Sequence, residues 1–248
     1  MATETKPATE REDETSRSRF LDHQRKEWLL GRGLYAVVVL LLVFLWIPLL
    51  AMVFLSFAVN SSTFFPFRGF TLAHYTATFA DFGLMVALWN SAQVATASAS
   101  VATFLGVLAS FALVRYDFPL KEVYRTFGIL PMVIPGVVMG IALLIYFQTI
   151  VGIPTGYLTL VLTHSAYGFP FVLLMVTARL YTFDPSLEEA ARDLGADPLT
   201  TFRDVTLPIV APAIGAGFLF AWIRSFEDFI RAHFVSGTFE VLTVSMFS

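Results

Sequence analysis

Long apolar stretches with almost no charged residues determine which folds this chain can adopt. A helix of about 20 residues crosses the roughly 30 Å hydrocarbon core of a bilayer, so such stretches predict membrane spans. We place five spans at 34–57, 84–114, 123–151, 156–180 and, shorter, 208–223. Backbone polar groups find no partner in lipid outside the segment itself, so all five should be helices. The predicted fold class is an all-α integral membrane protein, a polytopic helix bundle.

Composition supports this class and argues against others. The chain is 56% hydrophobic and only 14% charged, which is unlike a soluble domain. Its net charge of −3 is too small to favour nucleic acid as a partner. Cysteine is absent, so disulfide and thiol chemistry are excluded. The four histidines are isolated in sequence and no H-E-x-x-H occurs, so we expect no metal site and no catalytic site.

The distribution of charge predicts the orientation of the chain. Residues 1–33 are rich in charge and poor in apolar side chains, and we expect a disordered tail that precedes a membrane domain at 34–248. Thirteen of the sixteen Lys and Arg residues lie in this tail, in the connection after the second span and in the polar segment after the fourth. The amino terminus should therefore be cytoplasmic. Five spans would leave the other end outside, and we expect a sixth span to follow Ser248.

Small residues predict close helix packing. The second span contains "NSAQVATASASVATFLGVLAS", and the third contains "GVVMG" at 136–140. Ala, Ser, Thr and Gly allow helix backbones to approach one another in membranes. Both stretches therefore favour a compact bundle or a helix-helix dimer.

The polar segment "EEAARDLGADPLTTFRDVTLP" at 188–208 predicts two short helices joined by a turn. Asp184 before a proline begins the first helix, with Ser186 and Glu189 as an alternative capping box. Gly195 can end that helix in a left-handed conformation, and Asp197 before a proline begins the second. We call residues 184–207 the elbow and expect it to stop before Pro208, where the fifth span begins.

The elbow has an apolar stripe on its surface. The stripe is formed by Leu187, Ala190, Ala191 and Leu194 of the first helix and Leu199, Phe202 and Val205 of the second. A small apolar stripe on a polar segment either rests on the membrane surface or binds a protein partner. Geometry alone leaves both possibilities open.

The elbow resembles the EAA motif of the permease subunits of ABC importers. Glutamate, two alanines, a glycine, a β-branched residue and Leu-Pro have the family spacing, with valine where the family more often has isoleucine. The matching residues are Glu189, Ala190, Ala191, Gly195, Val205, Leu207 and Pro208. This resemblance implies a type I ABC importer permease fold and an elbow that docks on a cytoplasmic ATPase and passes on its motion.

The resemblance also implies partners and a location. We expect a dimer of cytoplasmic ATP-binding subunits, a second permease that is related or identical, an extracytoplasmic solute-binding protein and membrane lipid. The location would be the inner membrane of a prokaryotic cell. This chain lacks a G-x-x-x-x-G-K-[ST] loop, so ATP should be used by the partner subunit, with no cofactor bound here.

Near the end, "WIRSFEDFIRAHFVSG" resembles the polyamine permeases, which transport spermidine and putrescine. The predicted fifth span is short, so Glu227 and Asp228 should lie at membrane depth or at its outer edge, where ionisable groups usually face a water-filled cavity. Beside Trp222 and Phe226 they would suit a cation. The alternative is that they pair with arginines three or four residues away, Arg224 and Arg231. Further aromatic candidates for a cation cage are Tyr146, Tyr167 and Phe169.

Other functions remain open at this point. An ABC permease for another small solute has the same elbow. A secondary transporter driven by an ion gradient would need intramembrane carboxylates, and the elbow would have no explanation. A membrane enzyme would need a catalytic constellation, which the sequence does not display.

Overall fold

The computed structural model describes the backbone of residues 8–60 and 67–247, with the side chains of Trp28, 30–60 and 67–247. Apart from one isolated bridge between Ala58 and Phe70, regular structure in these residues is entirely helical. The predicted all-α class is confirmed. The chain divides into two compact units, 1–78 and 79–248.

The first unit is dominated by one long helix. Helix α1 runs over Ala8–Ser56, and its part Leu30–Ser56 is apolar enough to cross a membrane. Residues 8–33 of the predicted tail belong to this helix, and residues 1–7 lie outside the described part. Glu, Arg and Lys are good helix formers, and adding residues to an existing helix avoids the cost of nucleating a new one. Helix α2, Ala73–Ala80, follows the bridge.

The second unit contains the remaining helices. They are α3 (Phe82–Arg115), α4 (Lys121–Val133), α5 (Gly136–Ile145), α6 (Tyr157–Tyr181), α7 (Ser186–Asp193), α8 (Pro198–Thr201), α9 (Leu207–Phe226), α10 (Ile230–Val235) and α11 (Leu242–Ser245). Two π-helical segments, Tyr146–Val151 and Phe202–Thr206, continue α5 and α8. Within the described residues, four helices are long and apolar enough to span a membrane, or five spans if the bent pair α4 and α5 counts as one.

The core of this unit lies where α3, α6 and α9 meet. Apart from Leu180, its buried side chains are small or β-branched: Ala99, Ala102, Val172, Val176, Val210 and Ala221. A Cβ added to Gly106 of α3 would lie 2.8 Å from Cβ of Val172 in α6. The hydroxyl of Ser110, one turn later in α3, donates to the carbonyl of Leu173 at 3.1 Å. The close packing predicted from small residues is confirmed.

The third span is broken, whereas the sequence predicted one continuous helix over 123–151. Helices α4 and α5 meet at an angle of 103°. The break lies at Ile134, whose backbone is extended with ψ of 128° because the ring of Pro135 disfavours a helical conformation before it. The predicted packing role of "GVVMG" is confirmed, since Gly140 lies against Phe234 and Gly136 against Arg231.

The fifth span is longer than the predicted 208–223. Helical structure continues from the elbow into the membrane over Pro198–Phe226, 29 residues, which at about 1.5 Å per residue is roughly 43 Å. Pro208 does not stop the helix because a π turn precedes it, in which the Leu207 amide donates to the carbonyl of Phe202. The placement of Glu227 and Asp228 was inferred from a short fifth span, and that premise was wrong.

Candidate functional site

The ends of the elbow helices are fixed by local hydrogen bonds. Oδ1 of Asp184 accepts from the Ser186 amide at 3.0 Å, and Oδ1 of Asp197 accepts from the Thr200 amide at 2.7 Å. These backbone hydrogen bonds lower the pKa of both carboxyls from the ordinary value. Gly195 has φ of +90°, a conformation that other residues rarely adopt. The predicted starts and turn of the elbow are confirmed, with Asp184 as the group that caps the first helix.

The residues of the EAA motif lie mostly at the surface. Glu189, Ala190 and Gly195 are exposed, and Ala191 is half-buried. The motif ends at the beginning of α9, where Leu207 and Pro208 are also exposed. The motif therefore presents small side chains, a carboxylate and a flexible turn to its surroundings.

The apolar stripe is exposed as well. Leu194 is 90% exposed and Leu199 72% exposed, and Leu187 is also open to the surroundings. Phe202 is partly covered by the ring of Phe111 in α3, with ring centroids 5.6 Å apart. Most of the stripe is thus uncovered on this chain, as its sequence predicted, while Ala191 and Val205 are half-buried.

Glu188 is the residue of the elbow that the sequence analysis missed. It is 7% exposed, and Arg115 at the end of α3 donates to both of its carboxylate oxygens at 2.6 Å. The Thr206 hydroxyl donates to Oε1, and Arg192 lies 3.8 Å from Oε2. Hydrogen bonding from Arg115 is the largest cause that lowers the pKa of Glu188 from its ordinary 4.5. Only the spacing of Glu188 and Arg192 was visible in sequence, because Arg115 lies 73 positions away.

A groove of about 360 Å³ lies beside this carboxylate. Its apolar wall includes Val107, Phe111 and Phe202, and its polar end includes Arg115 and Glu188. The groove lies between the elbow and the end of α3. The contacts between these two elements include the Phe111–Phe202 ring pair and the Arg115–Glu188 ion pair, which is the polar point of attachment.

The candidate residues for a substrate path do not form one cage. Trp222 and Phe226 stack with ring centroids 5.0 Å apart, and the Trp222 indole donates to the hydroxyl of Thr96 in α3. Glu227 pairs with Arg224, which also donates to the Tyr167 hydroxyl in α6 at 2.6 Å. The aromatic pair thus contacts α3, and the charged pair contacts α6.

Asp228 is buried in a second ion pair. Arg231 donates to Oδ2 of Asp228 at 2.7 Å, and its guanidinium lies 3.5 Å from the ring centroid of Tyr167. The pairing of both carboxylates with arginines on the same segment was the alternative given by the sequence, and the geometry confirms it. Phe169 packs against the core, and Tyr146 contacts Phe147. Neither of these two rings lies beside Tyr167 at the two ion pairs.

Comparisons with known proteins identify the family. The sequence profile of the family described as "Binding-protein-dependent transport system inner membrane component" matches residues 102–244. The spermidine/putrescine transport system permease protein PotC of Escherichia coli is 35% identical over 207 residues, which cover 83% of this chain and 77% of that protein. The putrescine transport system permease protein PotI of the same organism is 36% identical over 215 residues, 83% and 76% of the two chains.

Solved structures show the same fold. A chain of a bacterial ABC transporter involved in the import of alginate is 17% identical and matches with a TM-score of 0.64, over 92% of this chain and 86% of that chain. The bacterial alginate ABC transporter in complex with a periplasmic protein bound to alginate pentasaccharide matches with 0.61 at 16% identity, over 92% and 85%. With the profile and the relatives, they establish that this chain belongs to the family of binding-protein-dependent transport system inner membrane components.

Proposed function

We propose that this chain is a permease subunit of an ATP-driven importer of a polyamine such as spermidine or putrescine. The names and sequence identity of PotC and PotI support the solute class. The partners would be two cytoplasmic ATP-binding subunits, a second permease and an extracytoplasmic binding protein. ATP would be hydrolysed by the partner subunits, and this chain would bind no cofactor.

One observation supports the proposed coupling role of the elbow. Its outer face has an exposed carboxylate, Glu189, beside the small Ala190 and the turn at Gly195, and the adjoining stripe of apolar side chains is uncovered. Small side chains allow a partner backbone to approach, and the carboxylate can accept a charge-assisted hydrogen bond. This surface is suited to a groove on an ATPase.

The coupling role is tested by two substitutions in the complete complex. Glu189→Lys reverses the exposed charge, and Gly195→Pro forces φ near −65° where the turn needs +90°. We expect both variants to insert into the membrane normally and to lose uptake into reconstituted vesicles. Asp117→Lys reverses a fully exposed charge outside the elbow and should retain uptake. Normal uptake by both elbow variants would contradict the proposal.

We place the amino terminus in the cytoplasm, which the distribution of Lys and Arg supports. This orientation would put the elbow on the side where ATP is available. Labelling of a single cysteine introduced at Trp28 tests it, because the chain has no cysteine of its own. The site should react with an impermeant maleimide only after the cells are opened.

The substrate path would run past the end of α9. Glu227 is its accessible carboxylate, with a side chain that is 50% exposed, whereas the side chain of Asp228 is 4% exposed. Trp222 and Phe226 would line the neighbouring surface towards α3. A permease for another small solute remains the alternative, and an uncharged or anionic ligand in the partner binding protein would favour it.

A further inference from the structure

We infer that Glu188 is a positioning residue that fastens the elbow to the second span, so that motion of the elbow enters the membrane through α3 as well as α9. This inference rests on the proposed coupling function. It assigns separate tasks to two adjacent glutamates. Glu189 faces the partner, and Glu188 faces the membrane helices.

The burial pattern of α7 is the first reason. Of its eight residues, Glu188 alone is buried. A short surface helix is normally held by buried apolar side chains, yet Leu187 of α7 is 45% exposed and the adjacent Leu194 is 90% exposed. The attachment of α7 to the bundle therefore depends on a carboxylate and its partners.

The geometry of the ion pair is the second reason. Arg115 donates through Nη1 and Nη2 to the two oxygens of Glu188, both at 2.6 Å. Two parallel charge-assisted hydrogen bonds fix orientation as well as distance, which a single hydrogen bond does not. The guanidinium is also held between Phe111 and Phe183, at 5.9 and 5.4 Å from the ring centroids. A displacement of α7 would therefore pull on the last turn of α3.

The third reason is that the same carboxylate reaches the fifth span. Thr206, the last residue of the π segment before α9, is 1% exposed and donates its hydroxyl to Glu188. Glu188 is thus a shared acceptor for the cytoplasmic ends of two spans that are far apart in sequence. Chain connectivity alone would link the elbow only to α6 and α9.

The decisive measurement is solute uptake per ATP hydrolysed, made on the complete complex with its binding protein in vesicles. Glu188→Gln keeps the size of the side chain and removes its charge, while the outer face of the elbow is unchanged. We expect ATP hydrolysis to persist and uptake per ATP to fall about tenfold, the effect of losing a strong charged hydrogen bond. Glu189→Gln makes the same chemical change on the outer face. It should lower hydrolysis and uptake together and preserve their ratio.

A covalent link distinguishes a positioning role of Glu188 from a role in folding alone. Arg115→Cys with Glu188→Cys introduces the only two cysteines of the chain. Uptake per ATP should be low in this double variant and recover when a short bismaleimide joins the two side chains. Either single cysteine treated with the same reagent should not recover. If the complex with Glu188→Gln does not assemble, the recovery of uptake per ATP in the linked double variant becomes the test of the positioning role.

The results distinguish this inference from the coupling function on which it rests. Wild-type uptake per ATP in Glu188→Gln, with uptake abolished by Glu189→Lys, would overturn the role of Glu188 and leave the docking elbow intact. Normal uptake in both variants would overturn the coupling role itself. Failure of the linked pair to recover would also count against positioning.

Discussion

Replacing Gly106 with alanine should destabilise the bundle measurably, because it forces α3 away from α6. The added Cβ would lie 2.8 Å from both Cβ and Cγ1 of Val172 and 3.3 Å from the Leu173 amide nitrogen. Carbon atoms in contact are normally about 3.5–4.0 Å apart, so the helices must separate by about 1 Å. Val172 is fully buried and its Cβ is fixed to the backbone, so rotation of the side chain gives no relief.

The separation would also weaken a hydrogen bond. The Ser110 hydroxyl shares its single hydrogen between the Gly106 carbonyl at 2.7 Å and the Leu173 carbonyl at 3.1 Å, and an increase of about 1 Å takes the Leu173 carbonyl beyond hydrogen-bonding range. Overpacking of a dense core usually costs about 1–3 kcal/mol. We therefore expect Gly106→Ala to lower the stability of the complex by that amount.

The assay is the fraction of detergent-solubilised complex that stays monodisperse after heating. A domain of this size shifts its midpoint by about 2–4 °C per kcal/mol, which predicts a decrease of roughly 2–12 °C. Gly215→Ala in α9 is the matched control, because nothing lies within 4 Å of its added Cβ and alanine favours the helix. The argument from packing is refuted if Gly106→Ala is as stable as Gly215→Ala.

Three further predictions concern the elbow and the end of α9. Asp197→Ala removes the cap of the second elbow helix and should lower uptake only a few-fold, without loss of membrane insertion; complete loss would show that Asp197 contacts a partner. The pKa of Glu188 is lowered, so its ion pair is present above pH 4.5 and is lost only as pH falls below that. Uptake per ATP should therefore be equal in buffers from about pH 5.5 to 8, and a fall in that range that Glu188→Gln abolishes would disprove this. Glu227→Gln should raise the polyamine concentration for half-maximal uptake in assembled complexes. Asp228→Asn should instead reduce assembly, because it leaves the buried Arg231 unpaired. The reverse pattern would exclude Glu227 from the substrate path.

Features of the elbow set by neighbouring residues were predictable from the sequence. The Asp184 and Asp197 hydrogen bonds each span two or three residues, and the turn at Gly195 depends on its own backbone freedom. Such signals need no knowledge of the tertiary fold. They gave the starts of the two elbow helices and the turn between them correctly, but not the predicted end of the elbow before Pro208.

Features that depend on distant residues were not predictable. The apolar pattern marks the exposed face of α7, and nothing next to Glu188 reveals that Arg115 will lie opposite it. The continuity of two membrane helices was predicted wrongly, because a hydropathy pattern records apolar side chains and does not record that proline lacks an amide hydrogen. Pro135 breaks a span that reads as continuous, and Pro208 is accommodated by a π turn where a boundary was expected.

The unbroken helical course of Pro198–Phe226 makes the fifth span a lever arm. Its length of roughly 43 Å means that a tilt of about 5° about its elbow end shifts the opposite end by about 4 Å. That displacement is comparable to the distance between carbon atoms in contact, about 3.5–4.0 Å. A small angular change at the elbow thus becomes, at the far end near Glu227, a movement large enough to make or break side-chain contacts.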